Sequence, residues 1–412
     1  MKALSTVLLS AIFFVSCSDK RPVDRMNDEQ LRAYADSLAH KFIITDGHVD
    51  LPYRLKETNF TKDSINVIIS TKKGDFDFER AMKGGLDAPF MSIYIPSKYQ
   101  QHDDYGKALA DSLIDMVTLI TQQLPEKFAL AKTPSDVEAN TKAGKISFPM
   151  GMENGAPIGK DLSNVKYFYD RGIRYVTITH GKDNQFCDSS YDTLHTWHGL
   201  SSLGKDLVKE MNRVGIMIDI SHVDDSTFYQ VMKLSKAPCI ASHSSCRAFT
   251  PKFYRNMTDD MIKLLGKNDG VIQINFGSTF LDSIVRQKND INTKKLQSIL
   301  KEKNLKASDS MAKPIVEQFK KDNLFVYADV ATVADHIDHV VKLAGIDHVG
   351  IGSDFDGVGD SLPTGLKDVS AYPNLIYTLL KRGYTESDIE KICYKNVWRV
   401  WNKVEQVAKE SK

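Results

Sequence analysis

Seven side chains of the types that bind divalent metals and move protons stand where apolar runs end: His48 with Asp50, Glu153, His180, His222, His243 and Asp354. Imidazole and carboxylate both ligate first-row metals, and both serve as general acids and bases. One His-x-Asp pair carries little meaning, because it is as readily a cap or a satisfied polar pair. Six run ends that agree carry much more. Burying imidazoles and carboxylates together without a counter-ion is costly, so the pattern points to a metal site.

The set divides into ligands for two ions. His48 and Asp50 are two residues apart and point the same way in a straight strand. His222 and His243 end neighbouring runs, and Glu153 has two oxygens with which to bridge the two pairs. Imidazole and carboxylate without thiolate suit zinc or another first-row divalent ion. Two ions about 3.5–4 Å apart can share a water and make hydroxide near neutral pH. Asp354 could accept that water's proton and pass it to a leaving nitrogen, while His180 polarises the substrate carbonyl. Three alternatives stay open. Asp356 offers the same group as Asp354; Asp46 or Asp50 could orient a metal-bound histidine; His180 could be a strand-end histidine bonded to a neighbouring carbonyl.

Eight apolar runs position these residues. They are Phe42–Ile44, Phe90–Ile95, Ile146–Met150, Tyr175–Thr179, Ile216–Ile220, Cys239–Ala241, Val271–Asn275 and Val349–Asp354. Longer helix-like stretches alternate with them, which predicts an α/β fold, a parallel (β/α)8 TIM-like barrel with helical insertions. The strand ends of such a barrel open on one face, so the polar residues share one site. Lys205 to Val214 is amphipathic and stops at Gly215, and residues 103–124 carry apolar positions at helical spacing. Thr385-Glu386-Ser387-Asp388 caps a last helix with Ile389, Ile392, Val397 and Val400 on its apolar side. The long charged stretch 281–327 reads as a helical insertion. No glycine-rich phosphate fingerprint follows a strand, which weakens a doubly wound alternative.

With 42% hydrophobic and 26% charged residues over 412 positions, the chain is neither a disordered polymer nor a small disulfide scaffold. Lys and Arg number 54 against 53 Asp and Glu, so no bulk field recruits nucleic acid. At the start, Lys2 precedes an apolar run from Leu4 to Val15, too short to span a bilayer stably. Residues 1–16 read as a signal peptide of lipoprotein type, because Phe14-Val15-Ser16-Cys17 looks like a bacterial lipobox with Cys17 as the lipidated residue. Residues 17–28 read as a tether and 29–412 as one barrel domain. The expected location is a bacterial cell envelope, at the outer membrane or periplasm, held by acyl chains.

These motifs together resemble the membrane (renal-type) dipeptidases, a branch of the amidohydrolase-like metal-dependent barrels. The matching pieces are Asp46-Gly47-His48-Val49-Asp50-Leu51-Pro52, Gly151-Met152-Glu153-Asn154-Gly155, Arg174 to His180, Ile218 to His222, Ser242 to Ser245, and Gly350 to Gly357. The likeness runs in order from about residue 42 to 406. It implies a binuclear zinc centre, with His48, Asp50 and Glu153 on one ion and Glu153, His222 and His243 on the other. It further implies His180 and Arg255 as substrate contacts and Asp354 as the proton shuttle of a zinc-dependent dipeptidase using metal-bridging hydroxide. Val49 stands where Asn is usual. Phe186 and Cys187 stand where Trp and Ala are common, and Gly277-Ser278 lacks the aromatic hydroxyl of animal members. These departures concern the pocket wall and substrate preference.

Two other readings compete: another binuclear amidohydrolase acting on an amide or lactone, and a non-catalytic envelope lipoprotein that binds peptides. Arg255 favours a substrate with a carboxylate, and no metal ligand is missing. Expected partners are dipeptides and, through the anchor, a membrane, with a homodimer as the oligomeric option. Cys187, Cys239, Cys246 and Cys393 read as free buried thiols, His195 and His198 as surface residues, His336 and His339 as part of a satisfied helix, and Trp398 and Trp401 as core anchors.

Overall fold

The eight barrel strands are β1 (Ile44–Val49), β2 (Leu86–Tyr94), β3 (Met150–Glu153), β4 (Ile173–Thr177), β5 (Met217–Asp219), β6 (Ile240–Ser244), β7 (Val271–Ile274) and β8 (Val349–Ile351). They close in the order β1-β8-β7-β6-β5-β4-β3-β2. Every barrel pairing is parallel. The predicted (β/α)8 TIM-like barrel is therefore the observed architecture. The computed structural model describes residues 22–306 and 309–411. The leader 1–16 and Cys17 lie outside the described residues. A short turn at Pro22–Arg25 and helix Asp28–Lys41, capped by Asn27, already occupy the end of the stretch read as a tether.

All but one of these strands are buried along their whole length, as parallel strands under a helical coat must be. That is why each reads as an apolar run. The run Ile146–Met150 is a correction. Pro149 has no N–H for a ladder, and it splits the run in two. Ile146–Phe148 pairs with Phe128–Leu130 in a separate two-stranded sheet, and only Met150 onward enters the barrel. The first run is also displaced, so His48 lies within β1 rather than beyond it.

The helices follow their local signals. Ser201 caps helix Ser202–Val214 by accepting from the Gly204 N–H, and Gly215 ends it at φ +96°. Thr385 and Asp388 form a capping box for Glu386–Glu390. A π-turn at Lys391–Lys395 then joins it to Asn396–Glu410. This last helix lies under the barrel, where Val397, Trp398, Val400, Trp401 and Val404 pack with Ala88, Phe90, Tyr175, Met217, Ile240 and Val271. The insertion is helical, with Ser283–Glu302 and Lys313–Asp322 as its long elements. All four cysteines of the barrel are free and buried.

Candidate metal centre and active site

Glu153, the last residue of β3, is the hub. Its Oε2 lies 3.4 Å from His48 Nε2, while its Oε1 lies 3.0 Å from His222 Nε2 and 3.3 Å from His243 Nε2. His48 Nε2 is also 3.4 Å from Asp50 Oδ2, and the His222 and His243 Nε2 atoms are 2.9 Å apart. Donors that share one zinc at about 2.0–2.2 Å are expected roughly 3–3.5 Å from each other. The five side chains therefore fit two divalent ions, with the carboxylate of Glu153 divided between them. His48 Nε2 and Asp50 Oδ1 are buried with no hydrogen-bond partner, which is costly unless a cation takes their lone pairs.

Neighbouring groups aim these side chains. Asp219 at the end of β5 accepts from Ser242 Oγ at 2.6 Å, Thr177 Oγ1 at 2.5 Å and the Ser221 and Ser242 N–H groups. Ser242 Oγ spends its proton on Asp219, so towards His243 Nδ1, 2.8 Å away, it accepts. Nδ1 then carries the hydrogen and Nε2 presents a lone pair to the site. Tyr175 Oη lies 2.8 Å from His48 Nδ1 and fixes that ring in the same way. Asp46 accepts from the His48 and Ser353 N–H groups and from Tyr372, so it ties β1 to the β8 loop and does not ligate.

The electrostatics are those of a site built around positive charge. Burial pushes the Glu153 carboxyl up, but His48, His180 and hydrogen bonds from His222 and His243 outweigh it and hold it well below the usual range. Burial pulls His48 down, yet the fields of Tyr175, Glu153 and Asp50 carry it well above an ordinary histidine. Burial, with His48 and Arg255 acting in the same direction, holds His243 down at about 3. His222 is lowered by burial and by Arg255. Burial raises Asp354 well above the usual carboxylate range, against His48 and with Asp50 and Glu153 adding to the rise.

Asp354 stands three residues beyond β8 at φ +62°, and His222 three beyond β5 at φ +69°. This left-handed backbone costs a non-glycine residue about 1–2 kcal/mol and turns the chain sharply over the barrel mouth. Asn275 Nδ2 donates to Asp354 Oδ2 at 2.7 Å. Asp354, His48 and Asp50 lie close enough to face one ion. The rival Asp356 is engaged elsewhere, accepting from Arg54 at 3.0 Å and the Asp75 N–H at 2.6 Å. His180 Nε2 lies 3.7 Å from Glu153 Oε1, and its side chain is 24% exposed where those of His222 and His243 are 6% and 1%. His180 thus faces the cavity more than the other histidines do.

Arg255 is placed differently from the other predicted residues. It is 3% exposed, donating to Ser244 Oγ at 2.6 Å and to the His243 carbonyl at 2.7 Å, with Nε buried and unpartnered. It stands behind the cavity wall, yet its charge depresses His180, His222 and His243.

A cavity of about 570 Å³ opens over these groups, with Tyr53, Tyr94, Tyr191, Phe280 and Gly357 in its wall. None of the three tyrosines was singled out by the sequence, although Tyr94 ends a strand as Glu153 does. Gly357 has a specific reason to be glycine: a Cβ there would lie 2.1 Å from Asp354 Oδ1 and 2.2 Å from Asp50 Oδ2. Asp188, His195 and Asp224 form another close group on a nearby loop. Their carboxylates serve backbone N–H groups of Trp197, Gly199 and Thr227, which is a loop-building role. His336 is satisfied by the Cys246 N–H and the Leu281 carbonyl, as its helical setting suggested.

Known proteins resemble this chain along most of its length. Dipeptidase 3 of Mus musculus is 32% identical over 391 residues, spanning 93% of this chain and 69% of the mouse protein. The crystal structure of the probable dipeptidase PvdM from Pseudomonas aeruginosa is 26% identical with a TM-score of 0.77, covering 92% of this chain and 100% of that one. A second solved structure, a metallopeptidase called dipeptidase AC, is 26% identical with a TM-score of 0.71, covering 88% and 98%. The model of the membrane dipeptidase family, peptidase family M19, matches residues 32–412, and the chain belongs to that family.

Proposed function

We propose that the chain hydrolyses the peptide bond of free dipeptides at a pair of zinc ions held by His48, Asp50 and Glu153 on one side and Glu153, His222 and His243 on the other. Family membership supplies the reaction class, a metallopeptidase acting on dipeptides. The observation that carries the assignment of residues is Glu153, whose two oxygens face two different histidine groups. When bound, such a pair of ions activates a shared water and polarises a carbonyl.

The chain's own residues do the rest. Asp354 takes a proton from the attacking water and returns it to the leaving nitrogen, which its Asn275 contact keeps it oriented to do. His180 donates to the carbonyl oxygen as that atom gains charge. Arg255 supplies positive charge on the His180 and His222 side, where the terminal carboxylate of a dipeptide belongs. Asp50 and Asp354 are carboxyl groups of the cavity wall that suit the free amine. A zwitterion is thereby oriented in one direction before reaction.

For location, the reading is a lipid-anchored envelope protein. It rests on the lipobox-like run ending at Cys17, and among the described residues no helix is long and apolar enough to cross a membrane. Cys17→Ser should release the protein from membranes.

A panel of dipeptides, tripeptides and dipeptide amides on zinc-loaded protein tests the substrate class. Free dipeptides should be cleaved at least 100-fold faster than their amides, because the amide lacks the negative charge that the field of Arg255 favours. Equal rates on all three would favour a broader amidohydrolase.

A further inference from the structure

We propose that Tyr94 is a catalytic residue, its phenol donating a hydrogen bond to the same substrate oxygen that His180 polarises. The inference rests on the dipeptidase reading and adds to it a second donor.

Three observations carry it. The first is position. Tyr94 is the last residue of β2 and lies in register beside Glu153, the last residue of β3. Side chains alternate along a strand, so Tyr94 shares its face with Ser92 two residues earlier. Ser92 Oγ reaches Glu153 Oε2 at 3.4 Å. Tyr94 therefore stands one layer higher on that face, in the cavity wall directly above the bridging carboxylate.

The second is orientation. The Tyr94 ring meets His180 edge to face, with centroids 4.7 Å apart and planes at 62°. Tyr53 also meets it edge to face, at 4.9 Å and 75°. Packed against two rings, the phenol cannot swing away from the cavity at small cost. Tyr94 and His180 thus present polar groups to the same part of the cavity from two strands.

The third is its unspent proton. Among the described residues no group takes a hydrogen bond from Tyr94 Oη, whereas Tyr175 Oη is held 2.8 Å from His48 Nδ1. A phenol is un-ionised near neutral pH, so it remains a donor. A neutral donor in a partly dry site, with no protein acceptor, is arranged for an oxygen that gains negative charge during reaction.

Tyr94→Phe is the test, since it removes one oxygen that bonds to nothing in the protein and keeps both ring contacts. Steady-state kinetics on a dipeptide should show kcat lowered about 100-fold with KM within about threefold, since one donor to a developing oxyanion is worth 10²–10³ in kcat. Zinc content should match the wild type. A phosphinate dipeptide analogue, which mimics the tetrahedral state, should lose affinity by the same factor as kcat/KM. Unchanged kcat, a rise in KM alone, or loss of zinc would each overturn the proposal. A crystal structure of the wild-type complex with the phosphinate decides independently of the variant. Tyr94 Oη within about 3 Å of a phosphinyl oxygen supports the donor role, and a longer separation refutes it. If the wild type cleaves no dipeptide at all, the parent reading has failed. If it does and Tyr94→Phe is as fast, only this inference has.

Discussion

At the lower end of the barrel, Trp401 is fully buried against Phe90 with ring centroids 5.2 Å apart, inside an apolar cluster fed by five strands. At the upper end, 3–4 Å separates imidazole from carboxylate, and buried atoms lack partners. Strands β4, β5 and β6 supply both, through Tyr175 and His180, Met217 and His222, and Ile240 and His243. Tyr175 spans the divide, its ring against Phe90 and its hydroxyl on His48. Gly151 makes room for it, since a Cβ there would lie 1.9 Å from the ring. The lesson is that stability and chemistry are segregated along one axis. The apolar end holds the strands in register, and the polar end spends that rigidity on groups that repel one another without a cation.

Breaking the upper end should cost activity. Glu153→Gln should lower hydrolysis by about three orders of magnitude and reduce occupancy of both zinc sites together, because one bridge is lost to each. Elemental analysis and dipeptide kinetics check this. Loss of one ion alone would place the bridge elsewhere.

Breaking the lower end should cost stability. Trp401→Ala should destabilise the fold by about 3–5 kcal/mol in denaturant unfolding, with kcat and zinc content of the folded protein unchanged. A large fall in kcat at full folding would mean that the two ends are coupled.

Gly357→Ala sharpens the comparison within the upper end. Its Cβ would push Asp354 and Asp50 apart, and a displacement of about 1 Å costs roughly 100-fold in kcat/KM. Unfolding measurements should barely register it. Tyr175→Phe should act at the junction, weakening zinc affinity by about 10–100-fold through His48.

The smallest effect is a pH effect at the lower end. Asp87, near the start of β2, is pushed up to about 6 by burial, although it accepts from the Ile44 N–H at 2.9 Å. The folded state then holds this proton more tightly than the unfolded state, so stability falls as pH rises from about 4 through 6. Asp87→Asn should flatten that part of the stability profile and leave the activity profile alone.

The barrel and the polar cluster at its mouth were legible in the sequence because buried parallel strands are unbroken apolar runs and a polar residue at the end of a run stands out. What was illegible has physical reasons. Pro149 divides one run between two sheets, and only pairing partners decide which half enters the barrel. Tyr94 at a strand end looks like ordinary strand propensity. Asp219 reads as one more strand residue until Thr177 and Ser242 are seen to converge on it. Arg255 was readable as a carboxylate fork, but its place behind the wall depends on Ser244 and the His243 carbonyl, which spacing does not reveal.

Zinc titration of metal-free protein, followed by elemental analysis and by hydrolysis of a free dipeptide, bears most directly on the two-ion centre built on Glu153. Activity should rise until two equivalents are bound per chain and then stay level. Full activity without metal, or saturation at a single equivalent, would contradict it.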